Sequence, residues 1–347
     1  MNARRSAVDT VARLAHASGL LASLRRRRHR RRDYRVYILE YHDLCATRAE
    51  ERESIVSAER LGDHLRFLAP HYRFATVAQA AEWLSHSDPP SLDQDVLVVT
   101  FDDGYRSNFE LARPVLEALD VPGTVYLTTG FLDGTPLWFD VARRAFDALR
   151  GGEEALPASA QDVLRRALGA WPVGGGEVRR LKYAPPEARR EAVHVLGSLD
   201  LDLPPAAQPM SWNEAQALID LGWEMGAHTV THPILSGLDA EQQKQEMQRS
   251  RSRIAEATGT EPLTFAFPNG SSRDYNAESL ATLRDLGFRA SCTTLRGSNV
   301  PGCDLMTLKR LGIGSDSNSL LAARLAGLFD EGLRRLLPQK TRIAPDH

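Results

Sequence analysis

The chain has 347 residues, 42% hydrophobic and 25% charged, a composition that excludes a disordered or fibrous protein and permits one large α/β domain or two ordinary ones. Its formal net charge of −2 hides an asymmetry: residues 1–35 carry eleven Arg against Asp9 and Asp33, a local +9 that leaves −11 elsewhere. Three cysteines, Cys45, Cys292 and Cys303, are too few for a disulfide framework and fit a reducing compartment, so the default location is cytoplasmic.

The first segment, residues 1–34, reads as a basic amphipathic leader ending in RRRRHRRR, Arg25 to Arg32. Val8, Val11, Ala12, Ala15, Gly19 and Ala22 fall roughly on one helical face, which suits an anionic membrane surface through residues 1–32 or a solvated arm. No aromatic residues interleave with the arginines, so nucleic acid is not expected as a partner. Asp9, Arg13 and His16 interrupt the apolar region, and arginines stand where a cleavage site would, so a signal peptide is not expected. No stretch reaches the ~18–20 apolar residues of a spanning helix.

Short apolar runs then alternate with amphipathic ones. Strands are expected at Arg35–Tyr41, Tyr72–Thr76, Val96–Phe101 and Gly123–Thr128, with helices at Ala58–Ala69, Val77–Ser85, Asn108–Leu119 and Leu137–Leu149. Residues 151–209, rich in Gly, Pro, Ala and charge, read as a largely helical insertion. The alternation resumes with a helix at Ser211–Leu221 and a strand at Trp223–Ala227. A long helix follows over Asp239–Thr258, with Asp239 as N-cap, Gln242 three positions on, and Gly259 as its stop. Leu263–Phe267 and Phe288–Cys292 read as strands, Leu305–Leu308 as a last strand, and Ser317–Leu336 as a C-terminal helix. Such alternation with buried apolar strands predicts a parallel sheet under helices, an α/β fold. About seven strands favour a distorted (β/α) barrel over 35–316, with its chemistry at the C-terminal strand ends and a helix and tail over 317–347.

Asp102 and Asp103 follow VVTF, His42 follows VYILEY, His228 follows WEMGA, and Pro268–Gly270 follow LTFAF, all at such ends. His228 and His232 are four apart, which one helical turn would bring to the same side. Two histidines with one carboxylate make a three-ligand set that leaves a coordination position open, the pattern of catalytic zinc. An ion held there acidifies water and polarises a carbonyl; one aspartate of the pair then ligates while its neighbour accepts a proton.

TFDDGY (Thr100–Tyr105) and HTVTH (His228–His232) resemble the first two signature motifs of the polysaccharide deacetylase family, carbohydrate esterase family 4, and FAFPNG (Phe265–Gly270) resembles its third. The resemblance implies a distorted (β/α) barrel and metal-dependent hydrolysis of N-acetyl groups on amino sugars such as N-acetylglucosamine. It makes Asp102 the general base and gives the metal, usually zinc or another divalent transition metal, to Asp103, His228 and His232. The backbone N–H of Asn269 is the expected oxyanion donor, a role that needs no particular side chain.

Two departures stand out. The third motif lacks the arginine that many members carry, so whatever tunes the base must differ. No histidine lies between His232 and His347, so the family's usual C-terminal acid is missing. Some members are circularly permuted and carry the acid on the first strand; LEYHDL resembles that arrangement and implies His42 as general acid, with Asp43 orienting it. Tyr105, Trp138, Trp212 and Arg310 are candidate substrate contacts outside the catalytic set. The expected function is N-deacetylation of a glycan or lipid-linked glycan precursor, working at the inner membrane face. The alternatives are an inactive glycan-binding or scaffolding member of the fold and, because the ligand set also serves iron(II), a non-haem oxygenase. The sugar, the metal, the oligomeric state and the role of the insertion are left open.

Overall fold

A computed structural model describes residues 3–31, 33–52, 55–86, 94–149, 156–169, 176–201 and 206–328. Eight parallel strands make the principal sheet: β1 Val36–Tyr41, β2 Tyr72–Ala75, β3 Asp95–Phe101, β4 Gly123–Leu127, β5 Glu224–Ala227, β6 Thr264–Ala266, β7 Ala290–Cys292 and β8 Leu311–Gly312. Their order is β8-β1-β3-β4-β5-β6-β7. β3 lies beside β1 on one edge; its other edge pairs with β2 from Asp95 to Val98 and with β4 from Val99 to Phe101. The sheet curls into a distorted (β/α) barrel. Leu308 bridges to Cys292 on β7, and three residues later Leu311 pairs with Leu39 on β1, so one short segment touches both edges.

The period of two along each strand sorts the residues. Tyr37, Leu39, Tyr41, Leu97, Val99 and Phe101 face the surrounding helices. Val36, Ile38, Val96 and Val98 face inward with Tyr126, Ala266, Ala290 and Cys292, beneath them the helix Val77–Ser85. Continuing the inward series upward gives Glu40 and His42 on β1, and Thr100 and Asp102 on β3. The barrel is therefore apolar at its floor and charged at its mouth. Gly226 belongs to this interior: a Cβ there would lie 2.4 Å from the Tyr126 ring.

Most expected elements are present, and the long helix Ala240–Thr258 has the anticipated Asp239–Gln242 capping box and left-handed Gly259 stop. Two differ. Leu305–Thr307 is a 3-10 turn capped by Asp304, not a strand; the last strand is Leu311–Gly312. The Asn108 helix opens as a π-turn over Asn108–Ala112 before Arg113–Glu117, because Pro114 has no N–H to give Glu110. The C-terminal helix runs Asn318–Leu325 and stops in a turn at left-handed Gly327 (φ 73°), short of the anticipated Leu336; residues 329–336 lie outside the described residues.

The insertion is helical as anticipated, with helices Ala158–Leu168, Glu177–Lys182 and Pro186–Ser198. They share a small core with Trp138–Ala148, built from Ala142, Ala145, Leu164, Leu181, Ala192 and Leu196. The leader forms helices Ala3–Ala17 and Leu20–His29, and its apolar face is already covered: Val8, Ala12, Ala15 and Leu21 pack on Leu320, Ala323 and Leu328. Arg28 anchors it to the buried Asp95 at 2.9 Å, at the start of β3. No described helix is long and apolar enough to cross a membrane. Replacing Gly226 with Ala forces Tyr126 to shift and should cost about 1–3 kcal/mol in urea unfolding; an unchanged midpoint and slope would show that the interior is loosely packed.

Candidate active site

The ends of β1, β3, β5 and β6 deliver the polar groups of the barrel mouth. Asp102 continues the inward alternation of β3, and its N–H donates to Tyr41 O at 2.9 Å. Asp103 would then point away, but its φ of 74°, followed by Gly104 at 85°, turns its carboxylate back toward the mouth. His228 ends β5. The 228–232 segment is not the helical turn its spacing suggests: Thr229 (φ 67°) and His232 (φ 54°) are left-handed in an irregular loop. Glu246, on the long helix, holds that loop by accepting from Val230 N, Thr231 N and Thr231 Oγ1 at 2.8–3.0 Å. Thr229 Oγ1 accepts from His232 N at 3.0 Å, and His232 O accepts from Trp138 Nε1 at 3.0 Å. Among the described residues five non-glycines have positive φ, and four of them are Asp103, Thr229, His232 and Asn269. Such conformations cost roughly 1–3 kcal/mol each and persist where surrounding contacts fix them for a function.

The strained loop sets His228 Nε2 and His232 Nε2 3.6 and 3.5 Å from Asp103 Oδ1. Donors ~2.1 Å from a tetrahedral ion would stand about that far apart. Asp103 Oδ1 and His232 Nδ1 are buried without hydrogen-bond partners. His228 Nδ1 lies 2.7 Å from Ala266 O; a proton on Nδ1 donated to that carbonyl leaves the Nε2 lone pair toward Asp103. Burial, with His228 alongside, holds His232 far below the ordinary histidine range, in the neutral form a metal requires. A buried, unpartnered carboxylate oxygen facing two imidazole Nε2 atoms fits a divalent metal, which Asp103, His228 and His232 would hold.

Asp102 faces a different partner. Arg310, fully buried in the segment that closes the barrel, donates from Nη1 and Nη2 to its two carboxylate oxygens, both at 2.7 Å. Burial would raise the Asp102 pKa, but the Arg310 guanidinium, and then His228, hold it well below the usual carboxylate range. Arg310 is therefore no substrate contact. It supplies the guanidinium missing from the third motif, from a position over forty residues further along the chain.

His42 lines the same cavity with its side chain 36% exposed, and Glu40 Oε1 stands 3.8 Å from its Nε2. Glu40 faces His42 because the two are separated by two on a strand; Asp43, the anticipated partner, instead accepts from Ser107 Oγ at 2.7 Å. Burial would lower the His42 pKa, but Asp102, Glu40 and Asp103 together raise it above its ordinary value. Glu40 escaped the sequence reading although its signal was there, a carboxylate at an inward position of a strand. Asn269 (φ 60°) reaches the cavity with its side-chain amide nitrogen buried and unpartnered, and its backbone N–H has no partner among the described residues. Tyr105 and Trp138 line this cavity of about 410 Å³, whereas Trp212 bonds Asp133 at 2.8 Å under Arg253, outside it.

Residues 90–291 match the family model described as polysaccharide deacetylase. The chain belongs to this family. Family membership supports removal of acetyl groups from a glycan by amide hydrolysis. Solved structures of similar fold include a Streptococcus pyogenes deacetylase, PplD, in complex with acetate, at 18% identity and a TM-score of 0.57, covering 84% of this chain and 98% of that one. IcaB from Ammonifex degensii follows at 19% and 0.57, covering 84% and 97%. A de-N-acetylase from Aggregatibacter actinomycetemcomitans stands at 16% and 0.55, covering 84% and 100%. At these identities the likeness is one of fold. No curated protein matches the chain.

The Arg310 pair carries a stability consequence with a definite sign. A carboxylate whose pKa is depressed by folding contributes stability above its unfolded value of about 3.9 and loses it on acidification. Arg310→Met, which strands Asp102 as a buried charge, should cost about 3–5 kcal/mol near neutrality. The difference from wild type should narrow in urea titrations as pH falls below about 4. A pH-independent difference would assign the loss to packing instead.

Proposed function

We propose that the protein is a metal-dependent N-deacetylase of an amino sugar within a glycan. The observation that carries this reading is the meeting of two unlike carboxylates at one mouth, Asp103 beside two histidines and Asp102 on a guanidinium. A divalent metal such as zinc, bound by Asp103, His228 and His232, would supply an acidified water and a polarised acetyl carbonyl.

The protein's own groups then have complementary tasks. Asp102, ionised throughout the working pH range, accepts the proton of the attacking water, with Arg310 fixing its orientation. The backbone N–H of Asn269, with its side-chain amide beside it, donates to the oxygen on which charge develops. His42, whose protonated form its carboxylate neighbours favour, delivers a proton to the departing amine, and Glu40 steadies the ring. Products are acetate and a free amino sugar. The scaffold alternative rested on a missing guanidinium and a missing acid, and Arg310 and His42 are candidates for both.

A lipid-linked substrate at a membrane face gains little support. The leader's apolar face is occupied, and its arginines lie where β3 begins, whereas Asp102 stands at its end. Seven residues of strand separate those ends by about 23 Å. An anionic surface could still meet exposed Arg26, Arg27, Arg30 and Arg31, at the end opposite the site.

Acetate release from N-acetylglucosamine oligomers, followed against pH, tests the reading. The basic limb of kcat/KM should lie above about 6.5, the ordinary histidine value, and belong to His42. His42→Ala should abolish that limb and lower kcat about 10²–10⁴-fold with metal retained. An unchanged limb in the variant would remove His42 as the acid, and absence of acetate with every acetylated sugar would defeat the deacetylase.

A further inference from the structure

Beside the site cavity lies a second one of about 270 Å³, and Lys182 lines both. The insertion helices bring Arg179 and Lys182 to the site cavity, and Lys182 and Arg189 to its neighbour, where Arg273 joins them. Lys182 is committed in part to Asp274, at 3.1 Å, and Arg143 on the site wall pairs with Asp140. Arg189 is not so committed. It is 6% exposed, donates from Nη1 to Lys182 O at 3.1 Å, and lies 5.2 Å over the Trp138 ring. Among the described residues it has no carboxylate partner, and the charge acting on it is a further cation, Arg190.

A buried guanidinium without a counter-ion is costly, and an aromatic face offsets only part of that cost. Arg179 is exposed at the mouth, and it too lacks an acidic partner among the described residues. The arrangement places positive charge in a cavity that shares Lys182 with the one the metal ligands line, on a wall built largely by the insertion. An anion arriving with the substrate would supply what Arg189 lacks, and the guanidinium fork matches a phosphate or a carboxylate with paired hydrogen bonds.

We propose that the second cavity is an anion subsite, and that the glycan substrate carries a phosphate or carboxylate next to the acetylated sugar. The proposal rests on the deacetylase reading for its acetylated neighbour, and it gives the insertion a task in substrate choice.

The test compares binding of three probes to the metal-loaded full chain by calorimetry: N-acetylglucosamine, N-acetylglucosamine 1-phosphate, and a disaccharide of N-acetylglucosamine and glucuronic acid. At least one anionic probe should bind about ten-fold tighter than the neutral sugar, the effect of one charge-assisted hydrogen bond, and the better probe identifies the anion. Arg179→Ala/Arg273→Ala, both exposed and neither a proposed catalytic group nor a metal ligand, should erase most of that preference, read in each protein as the ratio of anionic to neutral affinity. Any contribution of the metal to phosphate binding is common to both proteins and cancels in the comparison. Arg189→Gln should act in the same direction; because Arg189 is buried, the exposed pair decides. Equal affinities for all three probes, or a preference that survives the double variant, would overturn the subsite. Failure to release acetate from any sugar would defeat the deacetylase reading instead, and the binding ratios would still judge the subsite.

Discussion

The barrel mouth depends on one buried ion pair, Arg310 with Asp102. Four carboxylates and three histidines converge there, and without a cation ionised carboxylates would repel one another. Arg310 answers with two hydrogen bonds to Asp102, a third to Thr293 O from Nε, and an approach of 3.4 Å to Glu40. It can do so because Leu308 is tied to β7 and Leu311 to β1, which fixes the intervening backbone across the barrel's seam. Closure of the fold and ionisation of the candidate base are thus the same structural event.

The pair also separates two adjacent aspartates into two roles. Asp102 is saturated by a guanidinium and stays ionised. Asp103 is kept from it by a left-handed backbone and left with an unpartnered oxygen between two imidazoles. Sequence neighbours thereby acquire opposite needs, one already neutralised by the protein and the other awaiting a cation. The cost is local strain at four backbone positions, offset by the Glu246 clamp, the Trp138 hydrogen bond and the barrel beneath.

Much of this was legible in the sequence because it is governed by local rules. Strand alternation placed His42, Asp102 and His228 at strand ends, and capping chemistry located the Asp239 helix to the residue. The candidate metal ligands and candidate base were visible as motifs. What was hidden depends on long-range closure. Arg310 lies over two hundred residues from Asp102, and no local pattern joins them. The last strand was misplaced for the same reason: LMTL is apolar enough for a strand, but Asp304 caps it into a turn and closure falls to Leu311–Gly312. The histidine pair satisfied a helical spacing without being helical, since Glu246 imposes another loop from a distant helix. Of the leader's expected face, Val8, Ala12 and Ala15 are buried, with Leu21 in place of Ala22; their covering by the C-terminal helix is a tertiary fact.

The most direct measurement takes metal content and acetate release together, on the same preparations of wild type, Asp102→Asn and Asp103→Ala, with an N-acetylglucosamine oligomer as substrate. The account requires about one divalent ion per chain in wild type and in Asp102→Asn, with turnover lowered about 10²–10⁴-fold in the latter, and neither ion nor turnover in Asp103→Ala. Full turnover in Asp102→Asn, or in an Asp103→Ala protein that holds no metal, would contradict it.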